Sequence, residues 1–416
     1  GFNRETTQYA EEGSWFDGDR VRFRAGRPEN LRGYQTRALA STFDGSARDL
    51  ITWSDSSGIS RIVFGTPDKL YEQDGDQLYD ITPIVTAVTL ANCFGTSSGS
   101  TRVCCSDAGH NQKVGNYVLF TSSAAFNAVS LQGKVFSITS VASANIFTIE
   151  VTGAADATES DTGSATFKYY IPTGFSVVAA GLGYGAASFQ ATVCASQTRA
   201  WNQPASSGIA FDVTQWSLDN YGEDIVANRS GSNIFYWDSD GSTVPGEVHA
   251  VSITTSPISV NSILVSPNDR HLIAFGTNEY SATATVSGTF NPMLVRWSDQ
   301  DDKSNWVPAA DTTAGEVVLT DGTKIIGAKR SKNAINIWTD NSLWTMAFVG
   351  PPFTFRFTQA GSNCGMVGPH AGIDFNGVTY WMGFGNFYRF SGQVETLPCT
   401  VRRFVFDDVN ENYYTK

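Results

Sequence analysis

Four histidines, His110, His249, His271 and His370, are the first side chains whose chemistry could matter. None stands at the short spacing that brings two imidazoles to one zinc ion, so each reads as a single core or surface residue. Six cysteines, Cys93, Cys104, Cys105, Cys194, Cys364 and Cys399, contain no C-x-x-C pair. Adjacent Cys104 and Cys105 are poorly placed to bond each other, and the set reads as free, mostly buried thiols made in a reducing compartment. Two acidic runs, Asp238–Gly241 and Ser298–Asp302, offer oxygen ligands for calcium. Neither completes a calcium loop with a distal glutamate, and both read as turns. The Gly-rich stretch Gly181–Ser188 lacks the strand and helix that a phosphate cradle needs. No strand-to-helix turn presents a nucleophilic serine, and no pair of carboxylates is marked out for glycoside cleavage. The expectation is no enzyme, with no catalytic, cofactor-binding or metal-binding residues.

The other chemistry-bearing feature is basic. Gly13–Gln35 reads GSWFDGDRVRFRAGRPENLRGYQ, with Arg20, Arg22 and Arg24 alternating with Val21 and Phe23, and Arg27 and Arg32 following. From Gly13 to Arg37 six arginines stand against Asp17, Asp19 and Glu29, a net +3. The whole chain of 416 residues is −12, so everything else sums to −15. An acidic body gains no counterion-release affinity for DNA and repels a polyanion passing it. A short basic ribbon on such a body reads more simply as an assembly seam, its arginines pairing with carboxylates of this or an adjacent subunit. The seam residues are Arg20, Arg22, Arg24, Arg27 and Arg32. Asp17-Gly18 is a two-residue turn signal, which predicts a hairpin with Val21 and Phe23 inward and the arginines outward. Ala25–Pro28 would make the next turn.

The elements that must carry this ribbon are β-strands. Charged residues are 16% and aromatics 12%, and no run of 18 apolar residues marks a membrane span. A strand–turn–strand pattern recurs at Arg61–Gly75, Asp224–Gly241, His271–Val286, Ala334–Gly350 and Val378–Gln393. Its landmarks Ala227, Phe275, Trp338 and Met382 are 48, 63 and 44 residues apart, near the 40–50-residue period of propeller blades. The fold class expected is all-β: a β-propeller of short antiparallel blades, with a hairpin-built sandwich as the alternative. A Ser/Thr-rich segment with strands at Asn116–Phe120, Lys134–Val141 and Asn145–Val151 interrupts the pattern. It reads as a small inserted β-barrel or sandwich. The predicted divisions are 1–82 for the hairpin and first blade, 83–170 for the insertion, and 171–416 for the remaining blades.

The opening stretch resembles the start of the tail tubular, or nozzle, proteins of short-tailed bacteriophages. Trp15, Asp17-Gly18-Asp19 and Val21-Arg22-Phe23-Arg24 match that pattern, with Ser14, Phe16, Arg20 and Tyr34 as conservative departures. Val295–Trp306, Gly365–Gly383 and the strands of the insertion also look like segments of that family. The resemblance implies a homo-oligomeric ring, typically a hexamer, in the virion tail. Such a ring retains packaged DNA and conducts it at ejection, docks adaptor and fibre or spike proteins, and passes double-stranded DNA without holding it. It also implies synthesis in the host cytoplasm, a propeller as ring wall, the insertion as a platform for neighbours, and chain beyond the point where this sequence stops. The alternative is a propeller that binds or hydrolyses glycans on the host surface. No cofactor and no stable membrane insertion are expected.

Overall fold

The computed structural model describes residues 2–5, 13, 15–31, 33, 40–85, 87–171, 215–239, 249–282, 288–332 and 334–409. Five four-stranded antiparallel sheets follow one another along the chain, each running from an innermost to an outermost strand. Blade 1 holds β3 (Asp49–Ser54), β4 (Ser60–Gly65), β5 (Leu70–Asp74) and β6 (Gln77–Asp80). Blade 2 holds β13 (Trp216–Tyr221), β14 (Asp224–Arg229), β15 (Ile234–Trp237) and β16 (Val251–Ser252). Blade 3 holds β17 (Val260–Val265), β18 (Leu272–Asn278), β19 (Phe290–Trp297) and β20 (Gly315–Val318). Blade 4 holds β21 (Ile325–Arg330), β22 (Ile335–Thr339), β23 (Ser342–Gly350) and β24 (Thr354–Ser362). Blade 5 holds β25 (Gly372–Phe375), β26 (Val378–Met382), β27 (Phe387–Phe390) and β28 (Val394–Thr396). The fold is an all-β propeller-like array. The recurrent sequence copies are mainly the second and third strands of each blade. Blade 3 departs from this, because its third strand, β19, starts only at Phe290.

Between blades 1 and 2 six strands close into a barrel: β7 (Val88–Thr96), β8 (Arg102–Ser106), β9 (Tyr117–Ser123), β10 (Lys134–Ser143), β11 (Ile146–Glu150) and β12 (Glu159–Tyr169). Closure leaves no free sheet edge. The three predicted strands correspond to β9, β10 and β11. Phe147, Ile149 and Val151 alternate into a core shared with Phe94, Phe120 and Phe167. Cys93 and Cys105 lie in that core as thiols. Cys104, on the same strand as Cys105, is disulfide-bonded, which corrects the all-thiol expectation at that position. The barrel is tied to the propeller at its root. Val85 N–H donates to Tyr169 O (2.9 Å), Ile171 N–H to Pro83 O (3.0 Å), and Lys69 pairs with Asp80 (3.1 Å) beneath the Tyr117 ring. Burial pushes the Tyr117 hydroxyl up to about 12.

Apolar residues fill the blade interfaces in sequence. Val63 and Trp216 join blades 1 and 2, Val226 and Leu272 blades 2 and 3, Phe275 and Ile337 blades 3 and 4, and Trp338 and Trp381 blades 4 and 5. The first interface is tight enough to demand a glycine. A Cβ on Gly65 would stand 2.3 Å from the Trp216 ring, whose indole N–H donates to Thr66 O (2.8 Å). Among the described residues no such core joins blade 5 to blade 1. Leu50 on β3 and Ile373 and Phe375 on β25 stay exposed. The N-terminal segment meets the stretch that follows blade 5. Arg4 N–H donates to Thr400 O (2.8 Å), Thr400 Oγ1 to Phe2 O (2.6 Å), and Arg403 N–H to Glu5 Oε1 (2.7 Å). Arg403 is the second residue of the single helix among the described residues, α1 (Arg402–Asp408).

Candidate functional site

The basic ribbon forms a two-stranded sheet that joins no blade: β1 (Val21–Arg24) and β2 (Arg27–Asn30). The hairpin turns at Ala25-Gly26, inside the expected Ala25–Pro28 turn, and not at Asp17-Gly18. Ala25 and Gly26 have φ of 48° and 79°, the double positive φ of a type I′ hairpin. Asp17-Gly18 lies instead in a lead-in segment. There the Asp17 carboxylate accepts the Gly18 N–H (2.7 Å) and holds Arg4 (2.5 Å). The register is fixed by packing: the Phe23 ring meets Phe2 edge to face at 5.1 Å. Arg4 closes the base, stacked on Phe404 (4.0 Å) and Phe16 (5.1 Å).

Register also sorts the two faces. Arg22 pairs with Glu29, Phe23 with Pro28 and Arg24 with Arg27. Antiparallel partners share a face, so Arg22, Glu29, Arg24 and Arg27 stand together on one side. Val21, Phe23 and Pro28 stand on the other. The Arg22 guanidinium reaches Glu29 at 2.9 Å. Arg20 precedes β1 with a positive φ of 53° and is only loosely associated with Asp19 (3.8 Å). Arg24 and Arg27 oppose each other at the exposed tip and form no ion pair among the described residues. Arg32 lies outside the described residues. Arg22 and Arg24 therefore stand where the alternation places them, on a hairpin whose bend is the second of the two expected turns.

A second feature was not visible in the sequence. A cavity of about 670 Å³ opens on the propeller axis, lined by β3, β13, β17, β21 and the turn before β25. The Arg330 guanidinium reaches Asp219 (2.5 Å) and donates to Val265 O (2.9 Å), while Val265 N–H donates to Asp219 (2.6 Å). Those contacts join blades 2, 3 and 4. Asp49 on blade 1 accepts Leu218 N–H from blade 2 (2.9 Å). Burial pushes the Asp49 carboxyl up, against the pull of His370. Burial pushes His370, before blade 5, down, against the pull of Asp49. Burial likewise raises Asp219, against the pull of Arg330. All five blades thus feed one axial polar cluster. Asp49, Asp219 and Arg330 belong to strands whose register had to be known first, and His370 to a turn placed by them, which is why spacing alone missed the cluster.

Among the described residues the residue types of a hydrolase do occur together at Ser266, Asp269 and His271. Ser266, Asp269 and His271 are all buried, with His271 bridging Asp269 (2.6 Å) and the Thr313 hydroxyl (3.0 Å). The Ser266 hydroxyl donates to Asp269, not to the imidazole, so no base activates it. This is a structural knot in blade 3. The stretch Gly95–Gly99 spells G-x-S-x-G, but it leaves β7 for the turn before β8, and no helix follows to form a nucleophile elbow. In the acidic run at 298–302, Asp299 accepts Thr313 N–H (2.8 Å) and Gln300 N–H (3.0 Å), so its carboxylate caps a loop. Among the described residues no group of three or more His, Cys, Asp or Glu side chains could hold a metal ion. Gly181–Ser188 and part of the other acidic run, Asp240 and Gly241, lie outside the described residues.

No protein-family model and no curated protein matches the chain. Among solved structures it is similar to an endosialidase of phage phi92, at 16% identity over 85% of this chain and a TM-score of 0.24. It spans 55% of that endosialidase. It is also similar to PorZ, a surface component of the type-IX secretion system of Porphyromonas gingivalis, at 11% identity over 81% of this chain and 56% of PorZ, with a TM-score of 0.28. Kluyveromyces lactis Hsv2 matches at 8% identity over 88% of this chain and 79% of Hsv2, with a TM-score of 0.25. Superpositions this loose carry no functional argument.

Proposed function

We propose that the chain is a structural subunit of a phage tail nozzle, a ring whose channel retains genomic DNA and conducts it at ejection. One observation carries the reading. The residues that resemble the nozzle family, Trp15 to Arg24, end in an arginine-faced ribbon that belongs to no blade and is free to meet a neighbour. The barrel standing off blade 1 would serve as a platform for adaptor or fibre proteins. The chain's charge of −12 fits a conduit, because repulsion prevents the phosphate contacts that would hold DNA in place. Replacing Arg20, Arg22 and Arg24 by Ser together is expected to impair ring formation, measured as particle mass. The lining of an imaged ring is expected to be net negative or neutral, and a continuous Lys/Arg lining would contradict the conduit reading.

The axial cavity favours a second reading, in which the propeller binds or cleaves glycans. Its volume suits a small ligand, and its walls carry Lys329 and His370 beside Asp49. Against cleavage, Asp219 is committed to Arg330 and to a backbone N–H, so it is not free to act as acid or base. A polysaccharide depolymerisation assay separates the readings, since clear activity from a monomer would displace the nozzle.

A further inference from the structure

The tip of the ribbon is electrostatically incomplete. Arg24 and Arg27 are directly opposed across the strand pair, and like charges in that position repel. Within this chain the repulsion has no remedy among the described residues: Glu29, the single carboxylate on that face, is taken by Arg22. Among the described residues both outer edges of the two-stranded sheet are also unpaired. A hairpin of this kind is marginal alone in water. The repulsive tip and charged face fit an acidic protein surface.

The same chain carries one. On the barrel, the segment from β11 into β12 exposes Asp156, Glu159 and Asp161 with no lysine or arginine between Glu150 and Phe167. Asp161 is exposed and sits at a positive φ of 57°, at an irregularity in the pairing of β12. None of the three forms an ion pair among the described residues. We infer that the face bearing Arg24 and Arg27 docks on the Asp156–Asp161 segment of a second copy of this chain. The ribbon is anchored beside blade 5 and α1, whereas the barrel is rooted on blade 1. The contact therefore joins two different patches, and such head-to-tail contacts close into rings when the rotation permits. This deepens the nozzle proposal and rests on its ring. Charge complementarity of this kind sets register and speeds association more than it adds affinity.

The test is a charge exchange in the full chain, read by particle mass at low and high salt. R24E/R27E and, separately, E159R/D161R are each expected to raise the protomer concentration needed for half-assembly roughly ten-fold or more at low salt. The four changes combined are expected to recover most of that loss. All four positions at issue are exposed, and an unchanged thermal midpoint in each variant separates lost docking from lost folding. Assembly by both double variants as in the wild type overturns the inference, as does failure of the combined variant to recover while its midpoint is unchanged. If R24E/R27E assembles normally but loses retention of a short duplex DNA at low salt, the ribbon is a DNA contact and the inference is overturned. A wild-type chain that stays monomeric at every concentration overturns the ring itself, a result distinct from the other three.

Discussion

Arg330 and Arg24 each occupy the last position of a strand, one on the propeller axis and one at the ribbon tip. Arg330 spends its guanidinium on the Asp219 carboxylate and a carbonyl from a third blade. Arg24 faces another arginine. The contrast separates two uses of charge. Where both partners come from the same chain and one is buried, the pair fixes how blades sit against one another. Where a charge is exposed and opposed by its like, it adds nothing to folding, and the proposed docking gives it a use.

That contrast can be broken most forcefully at Arg330. Arg330→Met strands the Asp219 carboxylate, which is 7% exposed. The expected loss is roughly 2–3 kcal/mol in urea unfolding, below the cost of breaking a fully buried pair because Arg330 keeps part of its side chain in water. A loss no greater than that of an exposed arginine would erase the distinction. Next comes the ribbon: R24S/R27S is expected to change unfolding by less than about 1 kcal/mol and to leave the midpoint the same or slightly higher, since it removes a repulsion. A large loss would mean that the tip is part of the folded core after all.

The smallest effect is in pH. Burial lowers the folded-state pKa of His370, so between its folded value and its ordinary value near 6.5 the unfolded chain binds more protons. Its share of stability is therefore complete above about pH 6.5 and is lost as pH falls through the folded value. Asp49 runs the other way: its raised folded pKa gives a share present below about 3.8 and lost as pH rises through its folded value. Because His370 is open to the cavity, the slope is expected to be shallow. His370→Gln should flatten the thermal midpoint between pH 6.5 and 5, and an unchanged slope would remove His370 from the axial cluster.

Much of the propeller was legible because the second and third strands of each blade carry its aromatics and short turns, as at Ile234-Phe235-Tyr236 and Leu343-Trp344. The innermost strands were not. They mix Asp49, Ser217, Asp219 and Lys329 with apolar residues, because one side lines a wet cavity and the other packs on a blade. Nothing in their spacing separates such a strand from a loop. The ribbon's arginine face followed from simple alternation and its bend falls within the expected Ala25–Pro28 turn, but the expected turn at Asp17-Gly18 did not form the hairpin. Asp-Gly is the stronger local signal, yet Phe23 packing on Phe2 sets the register and leaves the bend to Ala25-Gly26. A local preference was overridden by one tertiary contact.

The central claim is that the exposed ribbon joins copies of this chain into a conduit. Its most direct test is imaging the purified full-length chain together with its mass in solution. A closed ring, hexameric if the family resemblance holds, with the ribbon of each copy on the barrel of the next, is the result the account predicts. A monomer at micromolar concentrations, or a ring whose ribbons point into the channel toward DNA, would contradict it.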